Sequence, residues 1–233
     1  MPSALKLALE DLLRARRLQA DGPPLRGEDR RLSPLPTGLS AVDVLLQGGF
    51  PRGQLSEAFG SASSGRTGLV LSLLARSTRS GSLAALVDPA DRLDPASAAA
   101  AGVDLTRVLW LRGDRAPRAL PDAIKALGTV LGSGLFEIVV LDLAGVPASE
   151  VGRLPGPTWI RLQRTIEETP TALLLLGRAH VAQSPGGASL ALAPAEARWS
   201  GDAPGRLLRG LVARVQVGRL AQRRAAFELQ AFA

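Results

Sequence analysis

Apolar positions along this chain change period several times, and the changes predict its elements. Residues 3–20 carry Leu5, Ala8, Leu9, Leu12 and Leu13 on the i, i+3, i+4, i+7, i+8 template of an amphipathic helix, with Arg14, Arg16 and Arg17 near its end, where the helix dipole favours cations. Asp21-Gly22-Pro23-Pro24 then stops it, and a polar, proline-containing stretch runs to Pro36. From Thr37 to about Val217, short apolar runs alternate with helical patterns. Strands are predicted at 55–59, 83–87, 108–111, 138–141 and 171–176, and helices at 67–79, 121–131 and 158–168. Continuous apolar strands between helices indicate an α/β fold: a mostly parallel sheet covered by helices on both faces. The end of the chain reads differently. Ala213, Val215 and Val217 alternate with Arg214 and Gln216, and Ala225, Phe227 and Leu229 alternate again, as in an antiparallel pair with one exposed face. The division expected is a helical arm and linker over 1–36, a core over 37–217 and a terminal strand and tail over 218–233.

Composition narrows the chemistry. The 233 residues contain no cysteine and one histidine, His180, which excludes disulfides, thiolate nucleophiles and multi-histidine zinc sites. With 46% hydrophobic residues, wholesale disorder is excluded. The start of the chain has no secretory signal pattern, and its longest aliphatic run is too short for a membrane span, so a cytoplasmic protein is expected. The net charge is +7. Arg198, Arg206, Arg209, Arg214, Arg219, Arg223 and Arg224 stand against Asp202 alone over 198–224. The strip 206–224 is a candidate surface for phosphates or an acidic partner, or simply a solvated face. Aromatics are 3% of the chain, which supplies few rings for stacking on bases.

One motif carries specific chemistry. The predicted strand ending at Phe59 runs into Gly60-Ser-Ala-Ser-Ser-Gly65-Arg66-Thr67 and then a helix, the spacing and setting of a phosphate-binding loop. Gly60 and Gly65 let backbone amides curl around phosphates, and Thr67 offers a hydroxyl for magnesium. The lysine of the pattern is Arg66 here, and a planar guanidinium does not replace a compact ammonium.

Around this loop the residues 37–43 (TGLSAVD), 48–53 (GGFPRG), 88–95 (DPADRLDP), 101–104 (AGVD) and 138–142 (IVVLD) resemble, in order and spacing, the core of the bacterial RecA recombinases. The resemblance implies a RecA-like fold and assigns Asp142 to the magnesium-binding strand end. Asp142 also suits a plain hydrogen bond to its own loop. The resemblance puts Ala90 where RecA has the glutamate that activates water, with Asp91 beside it on extended backbone and pointing elsewhere. It puts Ser97 where a tyrosine stacks on adenine, and the region of Ala179 where a glutamine senses the γ-phosphate. Without those groups the site is not expected to hydrolyse ATP, and no cofactor or metal is expected. The two DNA-binding loops would fall near 146–160 and 182–200; neither is strongly basic, so DNA binding is expected to be weak or absent. His180, Trp110, Trp159 and Trp199 read as structural or interface residues.

A short RecA-like chain with these losses and an arginine-rich end is similar to the ImuA family. That resemblance implies a non-catalytic accessory of DNA-damage-induced translesion synthesis, acting through RecA and ImuB and indirectly through an error-prone polymerase subunit. Leu5, Leu9, Leu12 and Leu13 are then the candidate partner-binding stripe, which otherwise folds back on its own sheet. Two alternatives stand: a DNA-stimulated ATPase with a modified loop, and a SulA-like inhibitor of cell division.

Overall fold

The computed structural model describes Asp11, Leu12, Arg14, Ala15 and residues 33–113, 119–167, 169–182, 186–202, 204–218 and 223–230. Among them are eight strands in one sheet, ordered β3-β2-β4-β5-β1-β6-β7-β8. In chain order the elements are α1 (Ser40–Leu45), β1 (Leu55–Gly60), α2 (Arg66–Arg79), β2 (Ala84–Asp88), α3 (Pro95–Ala100), β3 (Val108–Arg112), α4 (Ala119–Gly132), β4 (Ile138–Asp142), α5 (Ala148–Val151), α6 (Pro157–Ile166), β5 (Ala172–Gly177), β6 (Ser189–Ser200), β7 (Leu207–Val217) and β8 (Arg223–Gln230).

The α/β reading holds. β1 to β5 are mutually parallel. β1, β2, β4 and β5 are largely buried, because helices cover both of their faces. On one face Leu69, Leu73 and Leu74 of α2 pack with Ala58, Leu86, Val140 and Leu174. On the other, Leu127 and Leu131 of α4 and Leu162 and Ile166 of α6 meet Val139, Leu141, Leu173 and Leu175. Alternate side chains of each strand thus feed two separate cores.

The end of the sheet contains the expected antiparallel pair, Ala213↔Phe227 and Val215↔Ala225 among its partners, and adds a strand before it. Three strands are present: β6 runs parallel to β1 through Leu192, and β7 and β8 follow antiparallel. The second DNA-binding loop expected at 182–200 is therefore mostly strand. Leu190 and Leu192 are buried in the core, and their alternation with alanines is the strand signal. Gly186-Gly187 precedes it because a Cβ on Gly187 would lie 1.7 Å from the Leu55 carbonyl oxygen. Pro194 falls just past the last β1 partner, beside a register shift, where a missing N–H is tolerated. The stretch set apart as 218–233 supplies β8, which pairs with β7 in the same sheet and places Phe227 in the core. No helix among the described residues is long and apolar enough to cross a membrane.

Candidate functional site

The glycine-rich loop forms where the motif predicts, between β1 and α2. Gly65 holds the residue before α2 at φ +88, a left-handed conformation that suits glycine. The loop is also hemmed in by the last strands. A Cβ on Gly65 would lie 2.8 Å from Ala213 Cβ, and one on Gly68 would lie 2.4 Å from a Leu229 methyl. Gly60 is equally confined, since its Cβ would meet the Leu192 carbonyl oxygen at 2.2 Å. β6, β7 and β8 thus dictate glycine in a loop more than a hundred residues away. Ser64 is buried inside the loop, and Thr67, the first-turn hydroxyl, is exposed.

Arg66 stands at the position of the loop's usual lysine. Its guanidinium donates to the carbonyl of Gly177 at the end of β5, so it bridges two neighbouring strand ends. Burial lowers its pKa; Asp142 opposes that shift, whereas Arg178 and Arg92 add to it. Asp142 in turn accepts the amide of Ala144 at 2.8 Å. Burial raises the Asp142 pKa and the charge of Asp88 raises it further, against that hydrogen bond and Arg66. Three arginines, Arg66, Arg92 and Arg178, therefore act on this strand end. Spacing does not reveal that grouping; the only signal is an arginine in the 88–95 segment and another after β5. The Arg92 stem lies on Gly145, where an added Cβ would come within 2.5 Å of Arg92 Cδ and of Ala90 Cβ. A magnesium–nucleotide fits this set poorly. Arg66, at the position of the phosphate-binding lysine, is already engaged with the Gly177 carbonyl, and a guanidinium does not replace a compact ammonium there.

The 88–95 segment is structural in its hydrogen bonds. Asp88 is fully buried and accepts from the amides of Arg92 (2.6 Å) and Leu93 (2.9 Å) and from Trp110 Nε1 (3.3 Å). Asp91 corrects the expectation of extended backbone: its φ is +52, and its carboxylate receives Arg112 at 2.8 and 2.9 Å. Ser97 caps α3 together with Asp94 and presents no ring.

The profile of the RecA N-terminal domain matches residues 25–164. This chain belongs to the RecA family. It is similar to Protein RecA of Paenarthrobacter aurescens, 38% identical over 142 residues, which are 59% of this chain and 40% of the relative. Protein RecA of Rubrobacter xylanophilus is 38% identical over 148 residues, 61% of this chain and 42% of the relative. Protein RecA of Acidothermus cellulolyticus is 36% identical over 166 residues, 69% of this chain and 46% of the relative. The chain spans less than half the length of these curated relatives.

The arginine strip of this RecA-family chain is not one surface. Arg198 lies near Glu196 and Glu228, at 3.8 and 4.0 Å. Arg209 donates to Ser200 Oγ at 2.6 Å, and Arg223 faces the side-chain amide of Gln47 after α1. Arg206 is exposed just before β7. Among the described residues of the strip, Arg214 and Arg224 share a place, a shallow trough floored by Ala191, Ala193 and Ala226 on the face turned from the core. Arg219 lies outside the described residues, as do Leu5, Leu9 and Leu13 of the N-terminal stripe. Leu12 is helical and 47% exposed. His180 stacks on Phe59, with ring centroids 5.4 Å apart, and its Nδ1 meets the Glu57 carboxylate. Glu57 and His180 form a pairing that sequence reasoning missed, because a buried acid inside an apolar strand leaves no periodic signal.

Proposed function

We propose that this RecA-family chain is a non-catalytic accessory of DNA-damage-induced translesion synthesis. It acts by contact with RecA and with an ImuB-type inactive polymerase homologue, and through the latter with an error-prone polymerase subunit. The observation that carries the reading is Arg66: a guanidinium tied to Gly177 takes the place of the phosphate-loop lysine. Ala90 at the water-activating position supports it, since phosphoryl transfer needs both phosphate neutralisation and an oriented water. A subunit that shares the RecA core but does not respond to ATP would join a filament end without propagating it, and so would dampen strand exchange.

Two experiments test this. Calorimetric titration of Mg-ATP into the protein is expected to give no heat and no thermal stabilisation; saturable binding with turnover stimulated by single-stranded DNA would restore the ATPase reading. In a strand-exchange assay with purified RecA, product is expected to fall as this protein is added. Unchanged product at several-fold excess would remove the dampening role.

A further inference from the structure

A cavity opens beside the strand ends that carry the phosphate loop, with Phe59 and Gly177 in its lining. It is a cleft of about 800 Å³ between α5, α6, the loop after β4 and the chain after β5. Leu143, Val146, Val151, Leu154, Trp159 and Ile160 line it. Ile160 on α6 is 58% exposed, an uncommon place for a large aliphatic side chain with neighbours of the same kind.

The chemistry of the cleft selects its occupant. Of the two acids that line it, Glu57 is already satisfied: its carboxylate accepts the amides of Val181 (3.2 Å) and Ala182 and meets His180. The floor at Glu57 therefore offers a ligand no free acceptor, while the apolar walls offer apolar side chains a dry surface. The rim is basic. Arg164 and Arg178 line the opening, and Arg153 and Arg161 stand beside lining residues in the chain; all four are exposed. Glu167 also lines it, and Glu150 precedes the lining Val151. Among the described residues none of the four arginines is in an ion pair.

We propose that this cleft receives an amphipathic helix of a partner protein, its apolar stripe inserted at i, i+3, i+4 and i+7 and its flanks acidic against the arginine rim. The inference rests in part on the reading that the chain works by contact. Single-stranded nucleic acid suits the cleft less well, because the rings among its described lining residues are Trp159 and Phe59, the latter already stacked on His180, and the remaining walls are largely aliphatic. The chain's own N-terminal segment is disfavoured by charge: residues 3–20 hold Lys6, Arg14, Arg16 and Arg17 against Glu10 and Asp11, the same sign as the rim.

The test uses the full chain and fluorescence anisotropy at physiological salt with four labelled probes. Two are helical peptides of about 18 residues, five turns, with one leucine stripe and either glutamate or lysine flanks. The third is the segment 3–20 of this chain, and the fourth is an oligo(dT) strand. The glutamate-flanked peptide is expected to bind about tenfold more tightly than the lysine-flanked one. Ile160→Asp and Arg164→Glu, both at exposed positions, should each weaken it about tenfold or more, while Val44→Asp on α1 should leave it unchanged. Thermal unfolding of each variant confirms that it is folded. The proposal is overturned by equal affinity for the two peptides, by no binding of the glutamate peptide, or by binding that neither cleft substitution alters. It is also overturned if the segment 3–20 or oligo(dT) binds more tightly and is the probe lost with Ile160→Asp. Mg-ATP turnover would overturn the non-catalytic reading yet leave this peptide result standing, so the two failures are distinguishable.

Discussion

The two halves of the sheet solve burial in different ways. In the parallel half, β3-β2-β4-β5-β1, helices cover both faces. In the antiparallel half, Leu190, Leu192, Ala213, Val215 and Phe227 face the core, while Ala191, Ala193, Arg214, Gln216, Arg224 and Ala226 face outwards around a shallow trough. The RecA N-terminal match ends at residue 164, before β5, so much of the difference lies beyond it. The halves are nonetheless coupled, because Ala213 and Leu229 of the second crowd Gly65 and Gly68 of the first. The parallel half supplies the frame; the antiparallel half decides which residues its phosphate loop tolerates.

The largest effect is expected at the base of the parallel half. Arg52 pairs with Glu137 at 2.8 Å with both side chains under a tenth exposed, and Ser77 Oγ donates to the same carboxylate at 2.7 Å. Arg52→Ala leaves a buried charge without its partner and should cost about 3–5 kcal/mol in urea denaturation. Burial alone would raise the Glu137 pKa; the bonds from Arg52 and Ser77 outweigh it and hold the carboxyl below its ordinary value. A lowered folded-state pKa stabilises above the unfolded value and ceases to do so as pH falls through the folded one. The gap between the wild type and Arg52→Ala should therefore close on acidification.

Leu229→Ala probes the coupling between the halves. Leu229 is only partly buried, so the loss should be about 1–2 kcal/mol, below the range for full burial. A loss as large as that of Arg52→Ala would show that the antiparallel half is no lesser part of the frame. Asp142→Asn should be stabilising near neutral pH. The raised pKa of Asp142 means that folding loses free energy as pH rises from the unfolded value through the folded one, and asparagine keeps the acceptor for Ala144. The gain should vanish at acid pH, read by thermal midpoints across a pH series. The smallest effects belong to the outer face: Arg214→Ala and Arg224→Ala should each shift stability by less than about 0.5 kcal/mol, whatever they do to binding.

The five parallel strands were legible because cover by helices leaves short, mostly apolar runs, four of them largely buried, and the loop was legible because its spacing is fixed by phosphate geometry. The helices Ser40–Leu45, Pro95–Ala100 and Ala148–Val151 were not, since six or four residues hold too little periodicity. β6 was hidden because the alternation of Leu190 and Leu192 with alanines is short and Pro194 interrupts it. Two register shifts in the β6–β7 pair and the separate partners of Arg198, Arg209 and Arg223 break up an arginine strip that looks continuous in sequence. Arg92 and Arg178 meet Arg66 only through the topology of the sheet.

That topology also orders events in time. β1 is the first strand of the sheet, yet its partners are β5 and β6, whose paired residues come more than a hundred positions later. At about 5–20 residues per second of synthesis, the strand that carries the phosphate loop waits on the order of ten seconds for its first neighbour. Folding that depends on such distant pairings is slow. The nascent chain therefore keeps both edges of an apolar strand open until most of the sequence exists, and the phosphate loop takes shape among the last parts of the molecule.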